Sequence, residues 1–380
     1  MGKYKGIQTP FYIINKTVFN KNIDQIEQPF FEAWGRNNVI FTYSVKTNNN
    51  KILIGEAVKR GWGAEVVSYD EYKYIKEAID SFSDCLVICN GPVKGNMLRE
   101  ATKRGDVINL DNLDEVGELI KIVENNNIDK TKLKIGIRIN CNLEKYCPGQ
   151  TTAGTVGSRF GIDYESDDLF EAIKMLREAD ISINGIHMHT GTDSRSLEVF
   201  RWLSEIACEV ADKHGVDLDY IDIGGGFFGG RKLAGKPTMC EYADVITSIL
   251  KRSFSPNRTK LILEPGASII STAVDYVCGV ANIRTIKNKR IVTLDGTVLH
   301  INPFLVDRKP VYEVVGLGEE SIKEQMICGC TCLEKDRFDI IKDDRALEHE
   351  SIVIFHNVGG YTMSFNSHFI IEPPRVYVEE

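Results

Sequence analysis

Val39-Ile40-Phe41-Thr42-Tyr43-Ser44-Val45-Lys46-Thr47-Asn48 is an apolar, β-prone run that closes on a lysine and an Asn-rich turn. Residues 39–43 read as a buried strand, and a helical pattern takes over from Ile52. In an α/β barrel a lysine at that junction faces the pocket, because such barrels keep their chemistry at the C-terminal ends of their strands. On an isolated strand Lys46 is an ordinary surface charge. The rest of the chain decides between the two.

Working outward, strand-like runs fall at 38–45, 63–67, 86–89, 107–110, 134–140, 181–189, 218–223 and 261–264. Between them lie helical patterns at 51–60, 70–79, 94–104, 112–123, 166–178, 196–214 and 239–253, with another before the first strand. Eight parallel strands with helical crossovers describe a (β/α)8 barrel. An open doubly wound sheet would carry a Gly-x-Gly-x-x-Gly turn near its first strand, and none is present. Beyond Ser271 short β-branched runs (275–280, 290–294, 310–315, 351–355 and 375–378) are separated by Gly, Asn, Asp and Pro, the pattern of a β-rich second domain. Thr9-Pro10-Phe11-Tyr12-Ile13-Ile14 also reads as a strand of that domain. The expected division is a barrel over 17–271 and a β-rich domain of 1–16 plus 272–380.

With 380 residues, 43% hydrophobic and 26% charged, the composition is that of an ordinary soluble protein large enough for two domains. A net charge of −8 excludes a general binder of nucleic acid or anionic membrane, which needs a basic face. Small polar metabolites remain as partners. No apolar stretch follows the start of the sequence, so a cytoplasmic location is expected. The ten cysteines need no disulfides there, and most, such as Cys85, Cys89 and Cys208, read as small buried hydrophobes.

Three further stretches end expected strands on the chemical face. In Ile186-His187-Met188-His189-Thr190-Gly191-Thr192, period two puts His187 and His189 on one side. A metal pair is one reading, though no other histidine stands at a strand end to complete it. Gly224-Gly225-Gly226 lets backbone N–H groups approach an anion such as a phosphate, where the alternative is a flexible turn. Glu264-Pro265-Gly266 places a carboxylate where burial demands a partner, and a pyridine nitrogen is one such partner. Alternating Cys328, Cys330 and Cys332 suggest zinc, but no second pair with suitable spacing stands nearby.

A strand-end lysine, a histidine, a glycine loop and a strand-end glutamate together make a site for pyridoxal phosphate, and the chain resembles the fold-type III amino acid decarboxylases, the family of diaminopimelate and ornithine decarboxylases. The resemblance rests on Tyr43–Asn48, Ser158-Arg159-Phe160-Gly161, His189–Thr192, Gly224–Gly226, Glu264-Pro265-Gly266, Cys332 with Asp336, and Gly359-Gly360-Tyr361-Thr362, in order over about residues 9–378. It implies an alanine racemase-like barrel with a C-terminal β-rich domain and pyridoxal 5'-phosphate as cofactor. Lys46 would hold the cofactor covalently, His189 would stack on its ring and Glu264 would keep its nitrogen protonated. Gly225, Gly226, Gly266, Thr192 and Tyr361 would meet its phosphate. Glu65 matches an acidic position near the cofactor and Arg138 an arginine of the site. Cys332 would come from the second subunit and return a proton to the α-carbon, so that active sites are shared in a homodimer. Arg159 and Asp336 match a pair that bridges the subunits. A racemase shares the barrel and the lysine, but Glu264 and the Cys332–Asp336 segment side with decarboxylases. A catalytically inactive binding homologue is opposed by Lys46 and Cys332 together. Two departures bear on the substrate, a diamino acid or a conjugate of one. Ala267 stands where the family has an arginine, and Leu333 stands where it has an acid for a distal amine, with Glu334 one residue late.

Overall fold

The computed structural model describes residues 4, 6–79, 82–366 and 368–380. Residues 1–3 and 5, which the expected β-rich domain included, lie outside the described residues. Two compact units result: Met1–Lys21, Thr47–Asn50 and Ile269–Glu380 form one, and Asn22–Lys46 with Lys51–Ser268 form the other.

After β1 (Phe11–Asn15) and α1 (Lys16–Trp34), the chain alternates strand and helix through β2 (Val39–Ser44), α2 (Lys51–Lys59), β3 (Gly63–Val66), α3 (Tyr69–Ala78), β4 (Val87–Cys89) and α4 (Asn96–Arg104). It continues through β5 (Val107–Leu110), α5 (Leu113–Asn125), β6 (Lys134–Asn140), the two-residue β7 (Ile162–Asp163), α6 (Asp167–Glu178) and β8 (Ile183–Met188). The last repeats are α7 (Leu197–His214), β9 (Tyr220–Asp222), α8 (Met239–Leu250) and β10 (Lys260–Leu263). Parallel pairing runs β5-β4-β3-β2-β10-β9-β8-β6, and β6 pairs back onto β5, so eight strands close a barrel as the sequence pattern predicts. β7 adds to the side of β6 at Ile139 and Asn140.

Strands covered on both sides need near-continuous apolar sequence. β2, β3 and β4 supply it, for they are buried almost throughout. The helices supply one apolar stripe each. α5 buries Val116, Leu119, Ile122 and Val123 after the Asn112 side chain caps it by accepting from Glu115 N. α8 starts on a capping box in which Thr238 and Glu241 satisfy each other's backbone N–H.

In the other unit β1 joins β11 (Val274–Ile286), β12 (Lys289–Leu294), β13 (Val311–Cys328), β14 (Arg337–His356) and β15 (Arg375–Glu379) in the order β12-β13-β14-β11-β1-β15, with β12 also pairing β11. Its core includes Phe11, Ile13, Val277 and Ile354. The sequence reading stops the third of these runs at 315 and starts the fourth at 351, whereas both strands are far longer. Among the residues it omits, Gly318-Glu319-Glu320-Ser321-Ile322-Lys323-Glu324 is mostly exposed, so that stretch carries no apolar alternation to betray a strand.

Candidate active site

Lys46 follows β2 in a single 3-10 turn, Val45–Thr47, and its Nζ lies 2.5 Å from Glu65 Oε2. Parallel register sets Ser44 opposite Glu65, and the Ser44 hydroxyl donates to the same oxygen at 2.8 Å. Glu65 is 1% exposed, which such a group tolerates only with these donors around it. Asn90, the residue after β4, donates from Nδ2 to Glu65 Oε1 at 3.3 Å and to Glu264 Oε1 at 2.6 Å. One amide therefore joins the carboxylate beside the lysine to the carboxylate after β10.

Glu264 sits among charges. Burial alone would raise its carboxyl, but His187 and then Lys46 beside it outweigh this and hold it below the usual carboxylate range. His187 Nε2 is 3.6 Å from Glu264 Oε2, too far for a hydrogen bond. Burial, and then the charge of Glu264, push Asp222 well above its ordinary value. Burial, with Arg138 and Lys46 adding to it, keeps His189 neutral. The imidazoles of His187 and His189 are parallel within 8°, with centroids 6.0 Å apart.

The glycine loop is stitched over this floor. Glu264 N donates to Gly224 O at 2.9 Å, and Gly225 N donates to His189 Nδ1 at 3.3 Å, which fixes that nitrogen as the acceptor. A Cβ on Gly225 would stand 2.3 Å from the Glu264 carbonyl oxygen, so no side chain fits there. Gly266 is buried just before Ala267. Arg138, on β6, reaches Asp111 at 3.6 Å and stacks on Phe160.

Among the described residues one group of three has metal-ligand spacing: His187, Asp222 and Glu264, with ligand atoms within 4.8 Å. Within that group Asp222 Oδ1 accepts from Gly224 N at 2.8 Å and Glu264 Oε1 from Asn90 Nδ2 at 2.6 Å.

The Thr192 hydroxyl donates to Gln150 O at 2.7 Å, or to Ser194 Oγ at 3.0 Å, and accepts from Arg195 N. Asp336 was expected to bridge subunits with Arg159, yet it is 2% exposed. Its carboxylate accepts from Val298 N at 2.8 Å, Thr331 N at 3.0 Å and Thr331 Oγ1 at 2.6 Å. Those bonds tie Asp336 to the turn that carries Cys332. Arg159 is exposed and stacks on Phe160.

In the β-rich unit, burial raises the thiols of Cys328 and Cys330, whereas Cys332 is exposed. Leu333 beside it is exposed too, and Glu334 pairs with Arg337 at 2.9 Å on the surface. Tyr361 adopts φ 56, and its N donates at 2.8 Å to the carbonyl of Thr47, the residue after Lys46. Asn48 donates to Gly359 O at 2.9 Å.

Asn90, Asn109 and Tyr220 were not read from the sequence as site residues. The first directly follows an apolar strand, the same signal that marks Glu264, but an uncharged amide raises no electrostatic alarm.

Residues 21–271 match the family model described as "Pyridoxal-dependent decarboxylase, pyridoxal binding domain". The probable chloroplastic diaminopimelate decarboxylase of rice, Oryza sativa subsp. japonica, is 26% identical over 98% of this chain and 76% of its own length. The diaminopimelate decarboxylase of Methanocaldococcus jannaschii is 25% identical over 95% of this chain and 84% of its own. The structure of lysine/ornithine decarboxylase from Vibrio vulnificus, complexed with putrescine, shares the fold with a TM-score of 0.79 at 17% identity, over 99% of this chain and 96% of that one.

Proposed function

The chain belongs to the pyridoxal-dependent decarboxylases, and from that membership we propose that it releases carbon dioxide from a diamino acid or a conjugate of one, with Lys46, Glu264 and His189 around its cofactor. Pyridoxal 5'-phosphate is the cofactor of the family, and the barrel rim fits it. Lys46 stands beside Glu65, an ionised Glu264 beside a neutral His189, and buried His187 and Arg138 Nε have no hydrogen-bond partner among the described residues. When bound, that cofactor takes up the electron pair left by the departing carboxylate. Lys46 would hold it, Glu264 would keep its ring nitrogen protonated, and His189 would cover one ring face. The backbone of Gly225, Gly226 and Gly266 would take the phosphate, and Arg138 would face the substrate.

The observation that carries the reading is the Asn90 link between Glu65, which pairs with Lys46, and Glu264. A homodimer with shared sites is part of the proposal. Cys332 is exposed on a rigid turn, and the same unit exposes Phe304, Val306, Phe365 and Ile370, with Phe304 and Phe365 in edge contact at 4.8 Å. Exposed apolar surface of this kind marks interfaces.

Loss of a distal acid at Leu333 removes the partner of a terminal ammonium, at a cost on the order of 2 to 5 kcal/mol. Free ornithine and lysine are therefore expected to be poor substrates, and an acylated or carboxylated diamino acid a better one. Borohydride treatment of the yellow holoprotein, peptide mapping to Lys46 and a carbon dioxide assay over an amino acid panel test the whole reading. Reduction at another lysine would defeat it, and free ornithine, lysine or meso-diaminopimelate turned over at about 10⁴ M⁻¹s⁻¹ or faster would defeat the substrate assignment.

A further inference from the structure

The barrel interior beneath Glu264 holds a row of uncharged polar groups in one direction. Tyr220 OH donates to Asn109 Oδ1 at 2.9 Å, Asn109 Nδ2 donates to Asn90 Oδ1 at 2.9 Å, and Asn90 Nδ2 donates to Glu264 Oε1 at 2.6 Å. The polarity is forced. Carboxylates accept, so both amide orientations follow from the Glu264 end, and the tyrosine hydroxyl supplies the first proton.

The barrel is shaped around this row. A Cβ on Gly136 of β6 would stand 2.2 Å from Tyr220 OH and 2.4 Å from Asn109 Oδ1, and one on Gly185 of β8 would stand 2.3 Å from the Tyr220 ring. Two strands thus lack side chains where the tyrosine lies. All three donors are buried.

We propose that Tyr220, Asn109 and Asn90 form a neutral donor relay that holds Glu264 ionised and fixes it to Glu65, making all three positioning residues for the carboxylate that faces the cofactor ring. The inference rests on the assignment of Glu264 made above. The charged and titratable groups that face Glu264 are Lys46, Glu65, Arg138, His187, His189 and Asp222. Two of them are acids on the barrel wall, so donors without charge stabilise the anion from below while leaving the cations to the substrate side.

The test loads apoprotein variants with pyridoxal 5'-phosphate and follows the absorbance of the bound cofactor from about pH 8 down through the ordinary carboxylate range near pH 4. Asn90→Ala removes a hydrogen bond to a charged group, so the acid-side midpoint is expected to rise by about one pH unit and kcat to fall about tenfold with KM little changed. Tyr220→Phe keeps the ring in its berth and is expected to shift the midpoint the same way by less. Glu264→Gln is the reference for the underlying assignment. An unmoved midpoint in Asn90→Ala and Tyr220→Phe, with a large change in Glu264→Gln, overturns the relay alone. Wild-type absorbance and kcat in Glu264→Gln overturn the assignment and the relay with it. Should Asn90→Ala fail to fold, Tyr220→Phe decides, and a midpoint equal to wild type counts against the relay.

Discussion

The rim of the barrel and the turn around Cys332 solve opposite problems. At the rim the reactive groups are themselves buried: Glu65, His187, Asp222 and Glu264 are each at most 3% exposed, and every carboxylate has donors. In the turn the reactive group is exposed and its support is buried, with Asp336 gathering the backbone of residues 298 and 331 below it. A site that works within one chain can be closed off from water. A group proposed to serve a neighbouring chain, as Cys332 is, has to stay outside and be held from beneath. The contrast teaches that the two halves of the proposed site differ in which shell carries the burial.

The largest effect expected is at Lys46. Lys46→Ala should remove decarboxylation to below detection while thermal unfolding stays cooperative, since Ser44 and Asn90 still serve Glu65. Turnover near wild type would break the barrel half of the comparison outright.

Mixing is the next test. Lys46→Ala and Cys332→Ala chains, each inactive alone, should regain about a quarter of wild-type activity after exchange, because half of the dimers are hybrids with one complete site. No recovery despite demonstrated exchange would make Cys332 a residue of its own chain's surface and nothing more.

Asp336 tests the rigid turn. Hydrogen bonds to charged groups contribute roughly 1.5–3 kcal/mol each, so Asp336→Ala should lower unfolding stability by about 3 kcal/mol and change the rate at which a thiol reagent labels Cys332. Unaltered labelling would show that the turn holds itself.

A smaller, pH-dependent effect is expected at Glu71, which accepts from Val67 N at 2.8 Å just beyond β3. Burial raises its carboxyl from 4.5 to about 7, against the pull of Val67 N and Lys46. The folded chain therefore prefers it protonated, and stability fully present below its unfolded value of 4.5 is lost as pH rises through about 7. Glu71→Gln keeps the acceptor and removes the charge, so it should raise stability at about pH 8 by up to roughly 3 kcal/mol, fading to nothing in acid. Denaturant unfolding of both proteins at the two pH values checks this, and an equal gain at both would mean packing, not charge.

Much of this molecule was written in local sequence. The eight barrel strands were legible because most of their residues are buried and apolar, and Lys46, His189, Gly225 and Glu264 were legible because they stand at or just beyond the ends of such strands. The exposed lengths of β13 and β14 were not, since their pairing depends on partners far along the chain and leaves no alternation in either. Nor was the division of labour among similar side chains. Two buried acids, Asp222 and Glu264, are shifted in opposite directions, the first up by burial and the charge of Glu264, the second down by His187 and Lys46, with Asn90 donating to it as well. The three donors that gather around Asp336 were likewise not legible in its spacing from Cys332. Residue type and spacing determine which groups can do chemistry, whereas charge state and hydrogen-bond direction depend on neighbours brought together by folding, and those only the tertiary structure decides.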